Sequence, residues 1–186
     1  SGKVAQELGA KIVGLGAFTS IVGDAGITVA KNLDIAVTSG NSYTVATAIQ
    51  GTKQAARMMG KDLKECRAVV VGATGSIGAA SVRLLAKEVK HITLVARHMG
   101  PLEELAQELI EQNHCEVAVS QDIRTSLQEA DIVITVTSAL DFLIEPGDLK
   151  PGAVVCDVAR PRNVSRDVSL KRNDVLVIEG GVINVP

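Results

Sequence analysis

Arg67-Ala-Val-Val-Val-Gly-Ala-Thr-Gly-Ser-Ile-Gly78 decides the fold. An apolar run of small and β-branched residues is a buried strand, and the glycines at 72, 75 and 78 then ask for a tight backbone turn. The next stretch, about 76–89, carries apolar residues at helical spacing. A strand entering a glycine-rich turn and leaving as a helix is half of a βαβ unit, which commits the neighbouring sequence to a parallel sheet.

The chain beyond this point keeps that commitment. Short β-branched runs at about 68–72, 91–96, 115–119, 131–136, 153–157 and 174–178 predict six strands. Amphipathic stretches at about 76–89, 101–113 and 123–130 predict the helices between them, the second opening at Pro101, where a missing amide costs nothing. The expected fold class is α/β, a doubly wound, mainly parallel six-stranded sheet with a short N-terminal strand-helix extension. Composition agrees. With 46% hydrophobic residues, no Trp and only Phe18, Tyr43 and Phe142 as aromatics, the core falls to Val, Ile, Leu and Ala, as in sheets covered on both faces.

The glycine turn also has a chemical meaning. Small residues let a backbone approach a pyrophosphate closely, and the helix that follows offers its amides and the positive end of its dipole. The common G-x-G-x-x-G spacing would need glycine at 73, where Ala stands; G-x-x-G-x-x-G at 72, 75 and 78 is a variant also found in nucleotide-binding Rossmann folds. Gly72, Thr74, Gly75, Ser76, Ile77 and Gly78 are therefore the candidate pyrophosphate cradle. An NAD-binding domain places an acidic residue about 20 residues further on to hold the ribose hydroxyls. No acidic residue occurs between Glu88 and Glu103, and Arg97 with His98 stands at the end of the second strand instead. A guanidinium grips a 2′-phosphate with paired hydrogen bonds, so NADP is the expected cofactor. Thr137 and Ser138, after the fourth strand, lie at the carboxyl edge where ligands of open α/β sheets bind and are expected to border the ribose. Asp157 and Gly180-Gly181 end the next two strands on that edge, as cofactor contacts or as loop chemistry.

Charge and cysteine content exclude other classes. Nineteen basic against twenty-one acidic residues give a formal charge of −2, too balanced for nucleic acid to be the main partner. Cys66, Cys115 and Cys156 form no C-x-x-C pair, so neither a disulfide framework nor a metal site is expected. The apolar stretch Ile12 to Gly23 is too short to span a bilayer and ends at Asp24 rather than a cleavage site, so the expected location is cytoplasmic. Ser1-Gly2 has the look of a tag remnant, and the end at Val185-Pro186 that of a chain that continues.

The expected organisation is an extension over 1–65, contributing a substrate-side wall, and a cofactor domain over 66–186. Within the extension, Ile12 to Leu15 is a predicted strand and about 43–59 a helix ending at Gly60. Thr19-Ser20 and Thr38-Ser39, with Asn41, either bind a polar substrate group or cap helices. Lys53 is either a carbonyl-polarising cation or a solvated surface charge. The segment from Arg160 to Arg172 holds five basic residues and one acid, which makes Arg160, Arg162 and Arg166 either a docking site for an acidic carrier protein or a solvated face.

Val13-Gly-Leu-Gly-Ala-Phe-Thr-Ser-Ile21, Thr38-Ser-Gly-Asn41, Val70 to Gly78, Ala96-Arg97, Asp157 with Pro161-x-Asn163, and Gly180-Gly-Val182 together resemble the cyanobacterial-type long-chain acyl-ACP reductases. Their relatives include shikimate-dehydrogenase-like proteins and predicted amino acid dehydrogenases. The resemblance runs over nearly the whole chain and implies an NADP-dependent oxidoreductase that reduces a carrier-bound acyl thioester to an aldehyde, with Thr19, Ser20 and Asn41 on the substrate side. It also implies a nucleophilic cysteine just beyond Gly-Gly-Val, a position with no match in these 186 residues. The expectation is a cofactor-binding fragment with part of the active-site wall, its catalytic residues unassigned. A dehydrogenase of a shikimate-like or amino-acid-like substrate, and a non-catalytic NADP-binding sensor, are the alternatives.

Overall fold

The computed structural model describes residues 2–16, 24, 26–112, 115–137 and 144–181. The chain forms two compact units, Ser1–Tyr43 and Thr44–Pro186.

In the first unit, α1 (Gly2–Glu7) leads to β1 (Ile12–Gly14), and α2 (Ile27–Lys31) leads to β2 (Ala36–Thr38). The two strands are parallel, with Ile12 opposite Ala36 and Gly14 opposite Thr38. Gln6 ties α1 to the approach of β2: its Nε2 donates to Asp34 Oδ2 at 2.8 Å, and its Oε1 accepts from the Asp34 amide at 2.8 Å. Asp24 accepts from the Thr28 amide at 2.8 Å and from the Thr28 hydroxyl at 2.6 Å, ordering the first turn of α2. The β1 strand was legible in the sequence; α1 and β2 were not, because so few residues carry no periodicity.

In the second unit, α3 (Asn41–Met58, continuing from the first), β3 (Arg67–Val71), α4 (Ser76–Leu85), β4 (His91–Val95), α5 (Met99–Gln112), β5 (Glu116–Ser120), α6 (Ile123–Gln128), β6 (Ile132–Thr135), β7 (Val154–Asp157), α7 (Arg166–Lys171) and β8 (Leu176–Glu179) follow in turn. The six strands make one all-parallel sheet in the order β5-β4-β3-β6-β7-β8. This is the doubly wound α/β architecture expected. Each predicted strand and helix is present, with ends displaced by a few residues. Pro101 lies within the first turn of α5 rather than at its first residue, still where no intrahelical bond needs its missing amide.

Strand residues alternate between two cores. Ala68, Val70, Ile92, Leu94, Ile132, Ile134 and Cys156 face a layer holding Val45, Ala48 and Ile49 of α3, Val82 and Leu85 of α4, and Leu102, Leu105 and Leu109 of α5. Val69, Val71, Val133 and Val155 face Leu127 of α6 and Val168 of α7. Burial on both faces explains why the strands are unbroken apolar runs rather than alternating ones. At the amino edge, Asp131 gathers Lys61 Nζ at 3.2 Å, Lys150 Nζ at 2.8 Å and the Arg67 amide at 3.0 Å. At the carboxyl edge, Gly72 turns the chain with φ +86°.

The helix after this turn packs against it at backbone contact. A Cβ on Gly78 would lie 2.1 Å from the Gly72 carbonyl oxygen and 2.9 Å from its carbon. Backbone cannot yield as a flexible side chain can, so Gly78→Ala is expected to destabilise the domain by about 1–3 kcal/mol. Urea denaturation followed by circular dichroism checks this; an unchanged midpoint would contradict it.

Candidate functional site

The sheet order reverses between β3 and β6: β4 and β5 lie to one side of β3, and β6, β7 and β8 to the other. Helices leave opposite faces on the two sides of this boundary, which opens a crevice at the carboxyl ends of β3 and β6. The glycine turn stands in it. The Gly72 and Ala73 amides both donate to the Val95 carbonyl, at 2.8 and 3.1 Å, and the Val136 amide donates to the Val71 carbonyl at 2.9 Å, so the turn is bound to strands on either side. A Cβ on Gly72 would meet the Thr137 nitrogen at 3.0 Å and its Cα at 3.2 Å. Thr137, far away in sequence, is thus brought against the turn.

The three glycines do different work. Gly72 supplies the positive φ and the close approach to Thr137, and Gly78 lets α4 sit on the turn. Gly75 has φ −72°, which any residue adopts, and among the described residues a Cβ there would meet only the Gly72 oxygen, at 3.5 Å. Nothing in the fold of this turn requires glycine at 75. It is the N-cap of a ten-residue helix and has no side chain to bond the helix amides. Thr74, Gly75 and Ser76 are exposed, Ile77 is half-buried and Gly78 buried. These residues fit a dinucleotide pyrophosphate: an exposed turn and the amides of a helix N-terminus, with no side chain at Gly75 to cover them.

Arg97 and His98 follow β4 and are exposed. Gln121, after β5, donates from Nε2 to the Arg97 carbonyl at 2.5 Å, so the backbone that presents the guanidinium is braced. Among the described residues, no hydrogen bond or ion pair engages the Arg97 side chain. Gln121 was not legible as part of the site, since its partner is an invisible backbone oxygen 24 residues away.

Other sequence candidates resolve differently. Thr38 Oγ1 accepts from the Gly40 amide at 3.1 Å and Ser39 Oγ from the Asn41 amide at 3.5 Å, where Asn41 begins α3; the Thr38-Ser39 hydroxyls serve the entry of a helix. Thr19, Ser20 and Ser138 lie outside the described residues. Lys53 is half-buried and pairs with Glu88, its Nζ 2.6 Å from Oε1. Cys156 is fully buried, and burial pushes its thiol pKa up, away from nucleophilic chemistry. In the basic segment, Arg160 and Arg162 both pair with Glu179, and Arg172 forks onto Asp174 at 2.8 Å and 2.8 Å while also donating to the Leu149 carbonyl at 3.0 Å. Arg166 alone of these three docking candidates stays exposed with no ion pair among the described residues.

The profile of the shikimate / quinate 5-dehydrogenase family matches residues 53–179, from within α3 to the end of β8. The chain belongs to this family. It is an oxidoreductase-type nucleotide-binding domain, and its relatives vary widely in what surrounds that domain. The long-chain acyl-[acyl-carrier-protein] reductase of Synechococcus elongatus is 30% identical over 96% of this chain and 53% of its own length. Aminotransferase PigE of a Serratia species is 35% identical over 95% of this chain and only 21% of its own length. The chain therefore spans about half, or about a fifth, of the curated relatives it matches. Among solved structures, shikimate 5-dehydrogenase of Listeria monocytogenes, in complex with shikimate and NAD, shares the fold with a TM-score of 0.56 and 15% identity, covering 92% of this chain and 86% of that one. Among the described residues, no helix is long and apolar enough to cross a membrane.

The missing side chain at Gly75 gives a direct test of the cradle. Gly75→Ala keeps an allowed backbone and meets no close neighbour among the described residues, so stability should change by less than about 1 kcal/mol. Its methyl would occupy the face left for phosphate, and dinucleotide affinity is expected to fall by about tenfold or more, that is ~1.4 kcal/mol. Calorimetric titration beside a urea melt separates the two effects; unaltered affinity would contradict the cradle.

Proposed function

We propose that this domain binds NADP(H) and serves an oxidoreductase that reduces a carrier-bound acyl thioester to an aldehyde. The observation that carries the cofactor choice is the unengaged Arg97 guanidinium on its braced turn at the end of β4, with no carboxylate between Glu88 and Glu103 to take its place. On this reading Gly72, Thr74, Gly75, Ser76, Ile77 and Gly78 hold the pyrophosphate, Arg97 and His98 the 2′-phosphate, and Thr137 and Ser138 the ribose. The cofactor, when bound, supplies the hydride. The chain's own residues fix its place: the glycine turn sets the phosphate position and Arg97 selects the phosphorylated ribose. Residues 1–65, with Thr19, Ser20 and Asn41, are assigned to the substrate side.

Support for the thioester substrate comes from the acyl-ACP reductase that matches 96% of the chain. An aldehyde is also a carbonyl that transamination accepts, which accommodates a homologous segment inside a protein named an aminotransferase. A second reading, oxidation or reduction of a shikimate-like or amino-acid-like molecule, is favoured by the family match over residues 53–179. Both keep the same cofactor site.

Arg97→Ala is expected to weaken NADPH by ~1.5–3 kcal/mol, the loss of a charged hydrogen-bonded contact, and to leave NADH nearly unchanged. Calorimetric titration of both cofactors checks it; equal losses would overturn the assignment of the 2′-phosphate. For the carrier, Arg166 is the informative member of the basic segment, since Arg160 and Arg162 are already occupied by Glu179. Arg166→Glu is expected to slow association of an acidic carrier protein and flatten its salt dependence, as rim charges do. Stopped-flow association across ionic strengths reads this, and an unchanged salt slope would remove the docking role.

A further inference from the structure

Beyond the glycine turn, along the same carboxyl edge, the structure holds a buried polar cluster. Asp157 ends β7 at 1% exposure, Thr135 ends β6 at 0%, and Asn163 lies in the following loop at 2%. The Asp157 carboxylate accepts from three backbone amides of that loop: Ala159 at 3.1 Å, Asn163 at 2.9 Å and Val164 at 3.0 Å. Thr135 Oγ1 donates to Asn163 Oδ1 at 2.8 Å. The loop is also fixed from β8, since Arg160 Nη2 pairs with Glu179 Oε2 at 3.1 Å, and a Cβ on Gly181 would lie 2.7 Å from the Val158 oxygen. Residues 158–164 are thus bound to the ends of β6, β7 and β8 at once.

We propose that Asp157 is a positioning residue for the nicotinamide half of the dinucleotide, its carboxylate holding residues 158–164 as the shelf on which that half rests. The inference rests on the cofactor reading given above. If Arg97 at the end of β4 takes the 2′-phosphate and the turn after β3 takes the pyrophosphate, the sheet order leaves one direction for the rest of the molecule, over Thr137 toward β6 and β7. Thr135 and Asp157 are paired in register there, and Thr135 is itself paired with Val71, the residue before Gly72. Three convergent amides need a group that only accepts. A carboxylate meets this need, whereas an amide side chain turns a donor toward donors. Burial raises the Asp157 pKa, and those same amides oppose the rise.

The test compares two ligands that share the adenine half. Wild type, Asp157→Asn and Thr135→Val are titrated calorimetrically with NADPH and with adenosine 2′,5′-bisphosphate, which lacks the nicotinamide half. The proposal expects Asp157→Asn to bind the bisphosphate within about twofold of wild type and NADPH about tenfold or more weaker. Thr135→Val, which loses one bond to the loop, should show the same pattern in smaller measure and decides the matter if Asp157→Asn does not fold. Equal weakening of both ligands, or NADPH affinity unchanged, overturns the shelf. Wild type binding the bisphosphate as tightly as NADPH also overturns it while leaving the adenine side intact; wild type binding neither overturns the cofactor reading and the shelf with it.

Discussion

Gly78 and the Gly72 carbonyl are in backbone contact, and the rest of the carboxyl edge depends on it. With no Cβ between them, α4 begins against the turn instead of a side chain's width away. This contact sets where the helix amides point and how near the strand end they lie. Gly72 in turn lies against the Thr137 backbone, so that the crevice where the sheet reverses has backbone on both walls. A larger residue at either position would move the helix, and with it the amides at its N-terminus.

The two halves of the edge are then built by different means. On the β4 side, a single guanidinium stands on a backbone braced by Gln121, leaving its charge available. On the β7 side, charge is used up internally: Asp157 in holding a loop, and Glu179 in holding Arg160 and Arg162. One side offers a guanidinium with no partner among the described residues, and on the other the charges at the strand ends are paired internally, with Arg166 exposed beyond them. That asymmetry suits a ligand with a charged phosphate end and a flat, weakly charged ring at the other.

Much of this was legible in the sequence. The strands are buried on both faces and so appear as continuous β-branched runs, and the glycines at 72, 75 and 78 mark a turn whatever its ligand. Arg97 was found by its place after the second strand of the series, not by a motif. Asp157 was marked only by its place at a strand end, as cofactor contact or loop chemistry: a carboxylate that accepts from backbone amides two to seven residues on has partners with no side-chain identity. The ion pairs of the basic segment were not legible, because its balancing acids, Glu179 and Asp174, lie outside the window in which charge was counted. Thr38-Ser39 was ambiguous for a physical reason, as hydroxyls that enter helices and hydroxyls that bind substrates have the same composition.

The central claim is that a phosphorylated nicotinamide dinucleotide lies along the edge from Arg97 through the glycine turn to Thr137. Amide resonances followed by NMR during titration with NADPH test it most directly. The account predicts saturable shifts at Ile77, Gly78, Arg97 and Thr137, with the amino-edge residues around Asp131 unmoved. Shifts confined to other surfaces, or none at saturating NADPH, would contradict it.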